Sequence, residues 1–218
     1  SAYLARVNRS VFTPYTQRLV RAGAGLILRK PISVEGDPYW TEVFNKDVDG
    51  CGSDLDEYAR RLLICALTYG HCHTLVDFPA PSDARSLAEE RALNRRPYWI
   101  EVDPTQIYGW RLDREANYGN LTQVRIGEKA VIPDGEFGEK VYDQVRVIEP
   151  GRYRVFRQEE QKLEMQGPFP YPASFDQSDA TSEYELVESG PYSLDQVPLV
   201  TIYANKTDTM TSKPPLLD

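Results

Sequence analysis

The sequence predicts an α+β protein, with N-terminal helices followed by an antiparallel β-rich region. Three observations lead there. Apolar residues recur at helical spacing before about residue 70. After Pro97 they alternate at strand spacing. Turn-forming residues then punctuate short β-like runs for the rest of the chain.

The first predicted helix runs from Phe12 to Leu28, on a stripe of Phe12, Tyr15, Leu19, Ala22 and Leu26. Gly23 and Gly25 weaken its end, and Lys30-Pro31 stops it. The second is sharper. Leu55, Tyr58, Ala59, Leu62, Leu63, Ala66 and Leu67 form one apolar stripe. Ser53 is positioned to cap it, Asp54, Asp56 and Glu57 complement its dipole, and Gly70 terminates it. His71 to Phe78 reads as a buried or half-buried strand closed by Pro79, and about Ser82 to Leu93 as a charge-rich third helix.

Strands are expected at Tyr98–Val102, Ile107–Leu112, Leu121–Ile126, Val141–Ile148, Tyr153–Gln158, Tyr184–Val187 and Leu199–Tyr203. Glu149-Pro150-Gly151 makes a hairpin of the fourth and fifth. Gln166 to Asp179, with Gly167, Pro168, Pro170 and Pro172, is expected to be a long mobile loop. The expected division is a helical segment over 1–80 and a β-rich region over 81–218.

The 218 residues are 41% hydrophobic and 27% charged, which excludes a mainly disordered chain. No run approaches the roughly 20 apolar residues of a membrane helix, and no secretory leader is visible. The first residue is Ser1, the expectation for a trimmed chain or a fragment. The net charge is −8. Between Gln158 and Gln196 nine acids stand against one base, Lys162, so that segment carries the whole imbalance. A chain without clustered Lys and Arg does not grip phosphates, although an acidic wall can surround nucleic acid without holding it.

Cys51, Cys65 and Cys72 are an odd number and read as free thiols of a reducing compartment. Asp47-Val48-Asp49-Gly50 starts like a calcium loop. However, Cys51 falls on the third ligand position and Tyr58 on the twelfth, where a bidentate Glu is required. The segment reads instead as a turn feeding a capped helix. His71 and His73 fall on one side of a strand and Cys72 on the other, so the three do not share one metal, and packing is the expected role. No nucleophile elbow, Cys-His signature or complete glycine-rich phosphate loop is present. No catalytic residue, metal site or cofactor is therefore expected.

The order of motifs is informative. Asp47-Val48-Asp49-Gly50 feeds Leu55-Asp56-Glu57-Tyr58-Ala59-Arg60-Arg61-Leu62-Leu63. Leu67-Thr68-Tyr69-Gly70 runs into Leu75-Val76-Asp77-Phe78-Pro79. Ala88-Glu89-Glu90, Arg96-Pro97-Tyr98-Trp99 and Ile107-Tyr108-Gly109-Trp110-Arg111 follow. Val197-Pro198-Leu199-Val200 and Lys213-Pro214-Pro215-Leu216-Leu217-Asp218 close the series. Together with Ala22 to Lys30, this series resembles the portal proteins (head-to-tail connectors) of tailed double-stranded DNA bacteriophages, in particular a group described only as a phage domain of unknown function.

The resemblance implies a stem-type helix over Asp54–Tyr69 and a clip within Tyr98 to about Tyr203. A family member would continue past Asp218 into a second stem helix, tunnel loop and crown, so an N-terminal portion is expected. It further implies a structural, non-enzymatic subunit of a homo-oligomeric ring, in the virion and, during assembly, the host cytoplasm. Its partners would be terminase, head-completion adaptors, capsid and scaffold proteins, with double-stranded DNA passing through unread and no membrane involved. Candidate oligomer or adaptor contacts are Ile107, Tyr108, Trp110, Arg111, Arg152 and Arg154. Two alternatives stand beside it. One is a metal-dependent nucleic-acid-processing enzyme using Asp47, Asp49, Asp54 and His71 or His73. The other is a different virion adaptor.

Overall fold

The computed structural model describes residues 6, 9–10, 13–79, 86–93, 95–113, 119–158, 184–191 and 194–215. Its helices precede antiparallel sheets, so the fold is α+β as expected. The chain divides into two compact units, Ser1–Pro104 with Leu199–Asp218, and Thr105–Pro198. The division does not fall at residue 80, because strands from both sides of that point pair in one sheet.

In the first unit, α1 (Tyr15–Ile27) packs on α2 (Leu55–Tyr69). The side that α1 buries differs from the expected one. Val20 and Ala24 are buried, whereas Tyr15, Leu19 and Leu26 of the predicted stripe are exposed. A Cβ on Gly23 would lie 3.8 Å from Leu67, in ordinary contact, so the small residues Gly23 and Ala24 are on the side of α1 that meets α2.

α2 begins at an N-cap one residue later than the sequence pattern suggests. Asp54, not Ser53, accepts the Glu57 N–H, at 2.8 Å. Ser53 Oγ instead accepts from Arg61, at 2.8 Å. The carboxylate is the stronger acceptor at a helix start. Tyr58, Leu62, Cys65 and Ala66 are the buried face of α2. They pack with Phe44, Val48 and Cys72, and with half-buried Leu55 and Trp99. Phe44 belongs to the short helical segments Tyr39–Val43 and Phe44–Lys46. Trp40, Phe44, Trp99 and Tyr58 meet edge to face or tilted, at centroid separations of 5.4, 5.0 and 5.5 Å. Of these, Phe44 and Tyr58 are buried, and burying such a side chain contributes about 1.5–3 kcal/mol.

Gly70 ends α2 with φ 91° and donates its N–H to Ala66 O. β1 (His71–Asp77) starts at the next residue. It is the centre of a three-stranded antiparallel sheet, flanked by β2 (Tyr98–Val102) and β8 (Leu199–Tyr203). Between β1 and β2 lies α3 (Leu87–Ala92), capped by Ser86 Oγ on the Glu89 N–H. The rest of that predicted helix lies outside the described residues. After β8 comes a two-stranded ribbon that the sequence pattern does not reveal, β9 (Lys206–Asp208) with β10 (Thr211–Ser212). Its strands are too short to show periodicity. The ribbon meets the sheet through Met210 on Tyr203 and Thr201, and through Ser212 on His71.

The second unit is a five-stranded antiparallel meander in the order β3-β4-β5-β6-β7. Its strands are β3 (Ile107–Leu112), β4 (Leu121–Asp134), β5 (Gly138–Glu149), β6 (Arg152–Gln158) and β7 (Tyr184–Pro191). β4 and β5 are longer than their apolar runs because the hairpin continues through polar residues to a turn at Gly135, φ 76°. The predicted hairpin at Pro150-Gly151 is present, with Gly151 at φ 77°. The Gln166–Asp179 loop lies outside the described residues.

Gly70 gives a direct test of this architecture. Its φ disfavours any L side chain, and a Cβ would meet the Lys213 backbone and Ser212 Oγ. Gly70→Ala is expected to lower the unfolding free energy by about 2–4 kcal/mol in urea denaturation. Gly25→Ala, with no atom within 4 Å of the added Cβ, is expected to raise it by about 0.5–1 kcal/mol.

Candidate functional site

The chemistry-bearing residues of the first unit gather around α2 and β1. The loop from Asp47 to Asp54 folds on its own carboxylates. Asp49 Oδ1 accepts from the N–H groups of Cys51 and Ser53, at 3.0 and 3.1 Å, and Asp47 Oδ1 accepts from Gly52 N–H at 2.9 Å. The other oxygens take arginines: Arg61 on Asp49 at 2.9 Å and buried Arg96 on Asp47 at 2.8 Å. Arg96 also donates to the Asp47 carbonyl and lies over the Phe44 ring. Burial opposes ionisation of Asp49, but the hydrogen bonds from Ser53, Cys51 and Arg61 outweigh it and hold the carboxyl well below its ordinary range. The acids of this loop are thus committed to structure. Asp47 and Asp49 brace it, and Asp54 caps α2.

β1 separates two chemistries. Its residues alternate, so His71 and His73 share one face while Cys72 and Thr74 share the other. The two imidazoles meet edge to face at 4.9 Å. His71 Nδ1 lies 2.5 Å from Ser212 Oγ, whose hydroxyl donates to the Tyr69 carbonyl at 3.2 Å. With that proton committed, His71 Nδ1–H is the donor and Ser212 is a brace, not an activated nucleophile. His73 is fully buried. Its Nδ1 lies 2.9 Å from Thr201 Oγ1, whose hydroxyl donates to Met210 Sδ at 3.2 Å. This chain assigns the proton to Nδ1 and leaves Nε2 as a buried lone pair without a partner.

On the α2 side, Tyr58 Oη donates to Thr74 Oγ1 at 3.1 Å. Cys65, on the last turns of α2, meets Cys72, and Glu101 of β2 stands beside Thr74 in the sheet. Arg61 reaches Glu101 Oε2 at 3.3 Å. By sequence, Cys65 and Cys72 read as separate thiols, and this grouping goes unseen. The available signal was the reversal at Tyr69-Gly70, which folds position 72 back on the helical turn holding position 65.

The six residues expected to make contacts all lie on the five-stranded sheet, but not on one face. The ladder pairs set the faces. Ile107 opposes Ile126 and Trp110 opposes Val124, on the face where Val124 and Ile126 are buried. Arg111 opposes Gln123 on the other face, and the Tyr108 ring covers Gly127 there. Arg152 and Arg154 share that second face and both hold Glu149 Oε2, while Gln123 donates to Glu149 Oε1 at 2.7 Å. On the same face, Gly127 opposes Val145, Val145 opposes Phe156, and Phe156 opposes Leu186. With Tyr108 over Gly127, one apolar row crosses all five strands. Tyr108 is 60% and Leu186 50% exposed. Val131 and Val141, paired on this face, are a second exposed apolar pair, separated from the row by the Lys129–Asp143 ion pair.

A cleft of about 560 Å³ in the first unit includes Trp40, Phe78, Arg91, Arg95 and Arg96 in its lining. Its cations are engaged: Arg91 over the Tyr39 ring, Arg95 on the Pro79 carbonyl at 3.3 Å, and Arg96 on Asp47. In comparisons with known proteins, no family model and no curated protein matches the chain.

Two titrations should separate on acidification. Burial, with a smaller effect from His71, pushes the His73 pKa down to about 4. The unfolded chain therefore binds a proton that the folded chain refuses between about pH 6.5 and 4. His73 stabilises the fold fully above that window, and its contribution is lost as pH falls through it. Urea denaturation is expected to show a loss of ~3 kcal/mol over this range, flattened in His73→Gln. A second loss, from Asp49, begins below about pH 4 and shrinks in Arg61→Leu.

Proposed function

We propose that the chain is a structural subunit of a phage portal, a ring-shaped gateway at the capsid vertex through which double-stranded DNA is packaged and ejected. The observation that carries this reading is the apolar row across the five-stranded sheet, exposed at Tyr108 over Gly127 and at Leu186 and half-buried between them at Val145 and Phe156. A partly exposed apolar row with charged residues beside it suits contact with another protein. Arg111, Arg125 and Arg154 flank the row on β3, β4 and β6.

The exposed apolar side of α1, with Tyr15 73% and Leu26 74% exposed, is a second such surface. A closed ring needs two different faces on each subunit, each meeting the other's counterpart on a neighbour. The net charge of −8 suits a channel that must not hold DNA. The motif series that resembles the portal family also spans both units.

The decisive measurement is the mass of the product of the complete gene, by native mass spectrometry and electron microscopy. A large closed ring is expected; a strict monomer at micromolar concentration would overturn the reading. Leu186→Asp with Val131→Asp is expected to reduce ring formation at least tenfold while changing subunit stability by no more than about 0.5 kcal/mol.

A further inference from the structure

We propose that Cys65, Cys72 and Glu101 form a binding site for a thiophilic divalent cation, zinc in the cell. Among the described residues, one ligand atom from each of the three lies within 4.8 Å of the others. A tetrahedral zinc ion at about 2.3 Å from sulphur and about 2.0–2.2 Å from oxygen needs ligand atoms somewhat under 4 Å apart, so modest side-chain rotation brings this trio to it. The three come from α2, β1 and β2, so the packed core fixes their relative positions.

The surroundings favour a cation. Both sulphurs lie against carbonyl oxygens, Cys65 Sγ 4.0 Å from His71 O and Cys72 Sγ 3.7 Å from Val102 O. The Glu101 carboxylate, with an oxygen within 4.8 Å of both sulphurs, adds negative potential there. The same potential attracts a positive ion. Two thiolates and one carboxylate around a divalent ion leave a single negative charge, which faces Arg61. That guanidinium holds Glu101 Oε2 and is itself anchored by Asp49 and Ser53. The second Glu101 oxygen remains for the metal, and Arg61 orients the ligand as outer partners do in metal sites.

Soft thiolate ligands select zinc, cadmium or cobalt over calcium and magnesium. The histidines take no part, since they occupy the opposite face of β1. A water or the Val102 carbonyl completes the coordination. The ion would tie the end of α2 to the sheet centre, a structural role independent of ring assembly.

The test is titration of the reduced, chelator-treated chain with cobalt(II). The expected result is saturation at one equivalent, with a near-ultraviolet sulphur-to-cobalt band and tetrahedral visible bands, all displaced by zinc. Cys65→Ala and Cys72→Ala should each remove the sulphur band and weaken binding at least tenfold. Cys51→Ala should change neither. Glu101→Gln should keep the sulphur band and weaken binding about 10–100-fold. Should the cysteine variants fail to fold, X-ray absorption of the zinc-loaded wild type decides, with two sulphur neighbours expected. No sulphur band in the wild type, sulphur ligation lost with Cys51→Ala, or a Cys65–Cys72 disulfide that takes up no metal after reduction would overturn the proposal.

Discussion

Gly70 is the point on which the first unit turns. Its left-handed backbone ends α2 and starts β1 without an intervening loop. Its carbonyl accepts the N–H groups of Ala204 and Asn205, and the space a Cβ would need is taken by Lys213 and Ser212. One residue therefore joins helix, sheet and ribbon, although β8 and the ribbon lie more than a hundred positions further along the chain. Placing Cys72 beneath Cys65, and the histidines on the far side of β1, follows from that reversal and from strand alternation.

Charge is handled locally around this pivot. Arg61 and Arg96 come from different elements, and each takes a carboxylate of the Asp47–Asp54 loop. A buried guanidinium is stable only with such a partner, and the bound acid is in turn kept from other work. The loop that looks like a cation site in sequence is thus a structural brace. The thiol pair beneath it, apolar by composition, has the negative surroundings that suit a cation.

The second unit shows the opposite economy. Its single sheet buries Val124, Ile126, Ile148 and Val155 on one face and leaves Tyr108 and Leu186 exposed on the other. Glycine at 127 is what lets Tyr108 lie flat across β4. A surface of this kind is intelligible as one that another protein covers, which is why the portal reading rests on it and not on a catalytic group.

Local chemistry alone made much of this legible. The stripe of α2, the Gly70 stop, the alternation of Tyr98–Val102 and the Pro150-Gly151 turn all depend on near neighbours in the chain. Sequence patterns failed where distant residues decide. The buried side of α1 is the one carrying Val20 and Ala24, not the one with the strongest apolar period. The cap passes to Asp54 because Arg61 claims Ser53 Oγ. The short ribbon exists because the sheet offers it Thr201, Tyr203 and His71. The Cys65–Cys72–Glu101 group needs a helix end and two strands in register. Sequence determined where the longer helices and strands lie, since that is a property of local periodicity and backbone freedom. Tertiary structure decided which faces are buried and which side chains meet, because those contacts join positions the chain separates by tens of residues.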